Sequence, residues 1–141
     1  MELRQVLDNA LALVGRSRSA LVGSIGEGGY PNIKGMFRVE NHDLNEFLFT
    51  TNTSSRRVAQ FTEDGRACLY FVDFEKVEGL MLIGDMEVVG DPGVKARLWK
   101  DGWTRYYPLG PGDPDYAVLC FHAKQGSYYH SLEKTWFPIS S

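Results

Sequence analysis

The chain holds little from which a redox, metal or nucleic-acid role can be read directly. It has only two cysteines in 141 residues, Cys68 and Cys120. Both lie in apolar runs, ACLYFV and AVLCFH, so two buried strand thiols are expected. No CxxC pair occurs, which removes the usual zinc and dithiol motifs. The three histidines, His42, His122 and His130, are scattered without metal-ligand spacing, and no metal site is expected. Positive charge is not in excess. Lys and Arg number 15 against 18 Asp and Glu, for a net charge of −3, which argues against nucleic acid as a partner. No apolar stretch approaches the roughly 18 residues of a membrane span. The start, MELRQVLDNALALVG, carries acidic residues early and no small-residue cleavage site, so no signal peptide is expected and the cytoplasm is the expected compartment. GxSxG, HExxH and P-loop patterns are all missing. Linkers, repeats and low-complexity segments are missing too, and residues 1–141 are expected to form one domain.

What is present is an ordinary globular composition, 43% hydrophobic and 23% charged, long enough for a core. Leu3, Val6, Leu7, Ala10, Leu11 and Val14 recur at helical spacing, with Gly15 as a stop. SALVGSIGEGGYPNIKGMFRVE reads as two strands joined at GEGG. That glycine cluster joins strand to strand, so it is not a dinucleotide fingerprint. HDLNEFLFTT is a third strand. Ser54 to Glu63 is a helix with Val58 and Phe61 on one face and Ser54 or Ser55 as its cap. ACLYFVDF and LMLIGDMEVV are the fourth and fifth strands, with Gly84 a possible bulge. Asp91 and Pro92 open a short helix. YYPLGPGDPDY is loop, YAVLCFHAK a sixth strand, and YYHSLEKTWFPI a last turn or strand. Hairpins dominate over βαβ units, which predicts an α+β fold, mainly antiparallel β, with a sheet or barrel and a few helices.

One segment stands out. In FLFTTNTSSRRVAQF an apolar strand ends in Asn52, Thr53, Ser54 and Ser55, and two arginines follow at a helix start. Helix starts carry unpaired N–H donors and a partial positive charge that favour an anion. Arg56 and Arg57 are disfavoured there unless an anion is bound, and guanidinium groups grip phosphate through paired hydrogen bonds. Either this corner cradles phosphate, or it is a solvated cap whose arginines pair with Glu63, Asp64 or a neighbouring strand. Lys34, beside the permissive Gly35, can face the same corner if its strand pairs with EFLFTT. Trp99, Trp103, Tyr106 and Tyr107 crowd another segment, and each either packs the fold or walls a ligand pocket.

The run Gly29-Tyr30-Pro31, then KGMF, FTTNTSSRRVAQF, LMLIGDMEVVGD and LWKDGWTRYYPLGPGDPDYAVLCF resembles the pyridoxamine-5′-phosphate-oxidase-like family, in its general-stress-protein-like branch. The likeness spans about Val6 to Tyr129. It implies an FMN-binding split β-barrel with peripheral helices, forming a homodimer with FMN at the interface. Carried over, Lys34, Gly35, Met36 and Phe37 would lie along the flavin, mostly through backbone groups. Thr50 and Thr51 would end a strand beside it, and Ser55, Arg56 and Arg57 would hold the phosphate. Gly79 and Leu80 of the other subunit match a position where the oxidases use Gln. Lys34 stands where those oxidases have Arg, and Arg57 where the family often has Lys. The Arg-x-His ending of true pyridoxamine phosphate oxidases is absent from SLEKTWFPISS, so that activity is not expected. The resemblance implies a flavin-dependent oxidoreductase of unknown substrate, taking electrons from NAD(P)H or another small molecule. A non-catalytic flavin store or sensor is the alternative, and haem or deazaflavin the alternative ligand. No catalytic residue is assigned. If chemistry occurs, the flavin carries it.

Overall fold

The computed structural model describes residues 1–140. Helix α1 (Leu3–Arg16) turns Val6, Ala10 and Val14 inward, as the helical spacing predicts, and Leu13 with them, while Leu3 is exposed and Leu7 and Leu11 are half-buried. The strands are β1 (Ser19–Ile25), β2 (Pro31–His42), β3 (Glu46–Asn52), β4 (Arg66–Asp73), β5 (Glu78–Val89), β6 (Tyr116–His130) and β7 (Glu133–Pro138). Helix α2 (Arg56–Glu63) follows β3, and α3 (Pro92–Leu98) follows β5. All pairings are antiparallel, in the order β3-β2-β1-β4-β5-β6-β7, and β3 also pairs with β6. Six strands therefore close into a barrel, and β7 extends the sheet beyond it. This is the expected α+β, mainly antiparallel fold.

The β1–β2 connection turns through Gly28 and Gly29, both at positive φ (71° and 81°), a conformation that glycine adopts without a Cβ penalty. The register shift expected near Gly84 is present, and the additional residue, Lys124, belongs to β6. A side chain at Gly84 would collide with the backbone of His122 and Ala123. Strand β6 is longer than the YAVLCFHAK run suggests. It continues through QGSYYH and turns into β7, so the last segment is a hairpin arm.

Two apolar clusters build the interior. The main one lies inside the barrel, where Phe47 meets Phe71 and Phe121 with ring centroids 5.6 and 6.4 Å apart. The second lies outside the β3–β6 wall, where Leu48, Val118, Cys120 and Tyr116 are covered by α3 and the 99–116 segment. A polar tie fixes α1 to the barrel. Buried Glu78 accepts hydrogen bonds from Arg16 and from the Tyr128 hydroxyl. Burial and the Glu78 carboxylate push the Tyr128 phenol above its ordinary value.

Candidate functional site

Strands β2 and β3 pair only along part of their length. Their ladder runs from His42↔Glu46 to Arg38↔Phe49, with a register shift between Arg38 and Glu40. Beyond that point β2 continues along β1, while Thr50, Thr51 and Asn52 pair only with β6. The wall is thus split. Residues 35–37 and 50–52 face a gap with no strand between them, and backbone groups on such edges lack ladder partners.

The gap opens into a cleft of about 530 Å³, within the range of small-molecule sites. Gly35, Met36, Phe37, Thr50, Thr51, Arg57 and Trp103 line it, so the structure brings together seven of the twelve residues singled out from sequence. Arg38, Lys100, Tyr106 and Tyr107 line it as well. Trp103 is half-buried and Tyr106 exposed at the rim. Trp99, outside the cleft, and Tyr107, at its wall, both pack on Tyr116, with centroids 5.3 and 5.1 Å away.

Arg57 is the electrostatic centre of the cleft. Its Nη2 donates to Thr51 Oγ1 at 3.2 Å, and its Nε is buried without a partner. No carboxylate pairs with it among the described residues. Burial lowers its pKa from the ordinary value. A desolvated cation without a counter-ion is costly, and an anion in the cleft removes that cost. Of the alternative in which the arginines pair with Glu63, Asp64 or a neighbouring strand, only the Arg57 bond to Thr51 of β3 is formed. Asp64 pairs instead with Arg66, which holds its carboxyl down at about 2.

Other expected residues lie elsewhere. Arg56, next in the first turn of α2, lines an adjoining groove with Gln60, Glu63 and residues 26–29. Ser55 is the helix cap, its hydroxyl accepting from Val58 N at 3.4 Å. Lys34 stands opposite Val22 of β1, exposed and outside the cleft. Arg38, which does line the cleft, donates from Nη2 to the carbonyls of Val14 and Ser17 at 3.1 Å each and from Nη1 to Asn41 Oδ1, while its Nε, like that of Arg57, is buried without a partner. Leu80 is fully buried in the main core. Gly79 lies under Tyr70, whose ring fills the space a side chain at 79 would need. Neither lines the cleft of its own chain.

The hydroxyl-rich run is put to a use that sequence reasoning missed. Asp115 accepts from Asn52 Nδ2 at 2.9 Å and from the Ser54 amide and hydroxyl at 3.0 Å each. Thr53 donates its amide to the Asp115 carbonyl and its hydroxyl to the Pro114 carbonyl. These groups form an internal latch and not the phosphate cradle. The donors left for an anion are Arg57, Arg56 and the start of α2. No histidine, cysteine or carboxylate lines the cleft among the described residues. Burial raises the pKa of the Cys68 thiol, and burial with Glu46 and Glu87 pushes that of Cys120 up to about 12.

The model of the family described as pyridoxamine 5'-phosphate oxidase matches residues 6–130. The chain belongs to the pyridoxamine 5'-phosphate oxidase family. Its likeness to a Clostridium acetobutylicum protein, described as related to general stress protein 26 of B. subtilis, places it in the general-stress-protein branch. That relative is 46% identical, with a TM-score of 0.87 over 96% of this chain and 95% of the other. General stress protein 26 of Bacillus anthracis shares the fold at 14% identity, with a TM-score of 0.76 over 99% of this chain and all of that one. A haem-binding protein of Mycobacterium smegmatis shares it at 13% identity, with a TM-score of 0.76 over 94% of this chain and 57% of that one. A search of curated protein sequences returned no match. No helix of this family member is long and apolar enough to cross a membrane.

Proposed function

We propose that this single-domain protein binds FMN in the split between β2 and β3, as a homodimer, and acts as a cytoplasmic flavin-dependent oxidoreductase. The observation that carries the reading is Arg57, a partly buried guanidinium with an unpartnered Nε, facing a cleft of ligand size. It fits a phosphate. The open strand edges at 35–37 and 50–52 fit the polar rim of a planar ring system, and Trp103 and Tyr106 fit its face. Arg56 and the α2 amides add positive potential from the other side of the turn, and Ser55 holds that turn in place.

When bound, FMN supplies hydride and electron transfer that no side chain of this cleft can perform. The chain's own part is to hold the phosphate, to wall the ring, and to place positive charge from Lys100, Arg38 and Arg57 near it. NAD(P)H or another small molecule is the proposed reductant.

The dimer reading rests on an unpaired apolar face. Across six strands, one rung reads Gly35, Leu21, Tyr70, Met81, Ser127 and Trp136. Ile33 and Phe37, 73% and 78% exposed, extend this face to the lip of the cleft. A second copy docked there would cover it and bring its Gly79 and Leu80 backbone within the shared site.

The absence of any histidine, cysteine or carboxylate among the described lining residues favours, as a second reading, a flavin store or sensor without turnover. It also leaves a haem iron without a histidine ligand in this cleft. The test is an absorption spectrum after FMN incubation and desalting, then addition of NAD(P)H. Retained flavin that NAD(P)H bleaches supports the oxidoreductase. Retained flavin that no reductant turns over supports the store. A colourless protein overturns both.

A further inference from the structure

A second group of side chains converges at the far end of β3, on the outer face of the wall. Two cross-strand rungs lie side by side there. One reads His42, Glu46, His122 and Asp85, the other Glu40, Leu48, Cys120 and Glu87. The ligand atoms of Glu46, Cys120 and His122 all lie within 4.8 Å of one another. His122 Nδ1 is 3.9 Å from a Glu46 oxygen, and its Nε2 is 3.8 Å from Glu87. These separations are too long for hydrogen bonds. Ligands bound at about 2.0–2.3 Å to one tetrahedral ion stand roughly 3.3–4 Å apart.

The charges point the same way. Arg97 pairs with Glu40 and Lys124 with Asp85, but Glu46 and Glu87 face only histidines. The Cys120 side chain is buried against the Leu48–Val118 cluster and is the soft donor of the set. Thiolate, imidazole and carboxylate together select a zinc-like ion over calcium or magnesium.

We propose that Glu46, Cys120 and His122 form a binding site for a divalent transition-metal ion of the zinc type, with water in the fourth position. Binding forms the metal–sulfur bond and releases the thiol proton to solvent, with no change of oxidation state. The ion would tie β3 to β6 at the end remote from the cleft. Spacing along the chain cannot reveal this site, because only the β3–β6 register brings residue 46 beside 122.

The probe is Co²⁺, titrated into the chelator-treated full chain with and without FMN. The expected result is one equivalent bound per chain, with visible d–d bands and a thiolate-to-cobalt band in the near ultraviolet, both bleached by Zn²⁺. Cys120→Ser removes the near-ultraviolet band and Cys68→Ser keeps it. Glu46→Gln and His122→Gln each weaken Co²⁺ binding by about tenfold or more. These two partly exposed positions decide the matter if the buried Cys120→Ser variant fails to fold. Absence of the bands at stoichiometric Co²⁺, an unchanged spectrum in Cys120→Ser, or full-strength binding by both Glu46→Gln and His122→Gln overturns the site.

Discussion

Arg56 and Arg57 are neighbours in sequence, yet the first turn of α2 sends them to different grooves, because successive helical residues lie about 100° apart around the axis. Arg57 points into the split and loses solvent, while Arg56 stays exposed. Their contributions should therefore differ. Arg57→Ala removes charge-assisted hydrogen bonds worth about 2 kcal/mol, which is roughly a 30-fold loss of FMN affinity. Riboflavin, which has no phosphate, should bind the variant and the wild type alike. Arg56→Ala should cost less than Arg57→Ala. Fluorescence titration with the two flavins checks this, and an equal loss for riboflavin would show that Arg57 shapes the cleft instead of binding phosphate. Gly79 is a second lesson at this scale. It stands at a position where the oxidases use Gln, and the structure gives its missing side chain a packing reason, the Tyr70 ring above it.

At the level of elements, two ties decide how the site is held. The first is the Asp115 latch, which anchors the β3–α2 turn to the start of β6. Hydrogen bonds from Asn52, then from Ser54 and Thr53, hold the Asp115 carboxyl below its ordinary pKa. A carboxylate depressed in the folded state stabilises fully above its unfolded value near 4, and that contribution is lost as pH falls through the lower folded value. The Ser54 amide resonance should accordingly titrate with a midpoint below the ordinary aspartate value, and Asp115→Asn should abolish the titration. A midpoint at or above 4 would mean that the latch does not form in solution. The second tie is Arg16–Glu78–Tyr128, which pins α1 to β5 and β6. Glu78→Ala leaves a guanidinium and a phenol without their shared acceptor and should cost about 3 kcal/mol in denaturant unfolding. A cost under about 0.5 kcal/mol would place Glu78 among the surface ion pairs that contribute little.

For the whole molecule, the decisive feature is the apolar sheet face that continues into the lip of the cleft. Leu21, Ile33, Phe37, Tyr70 and Trp136 are all exposed in a single copy. Sedimentation velocity of the wild type should show a dimer. Ile33→Asp combined with Phe37→Asp should give a monomer that no longer retains FMN on desalting, because half of each shared site is then absent. A monomeric wild type that still holds FMN would show that one copy completes the site.

Much of this protein was decided locally. The 3.6-residue period of α1, the glycine turn at 28–29, and the Ser55 and Asp91 caps are short-range effects, and each formed where periodicity and capping chemistry place it. The helix start bearing Arg56 and Arg57 was legible for the same reason. What the chain order could not decide was which strand edges would lie open and which residues would meet across the barrel. Lys34 lies outside the cleft on the part of β2 that runs along β1, and the Asn52 amide and the Thr53 and Ser54 hydroxyls are taken because barrel closure sets Asn52 against Tyr116, beside Asp115. Glu46, Cys120 and His122 likewise meet only through the β3–β6 pairing. Register is a long-range quantity, fixed by the summed burial of two faces when the barrel closes, and no window of sequence contains both partners.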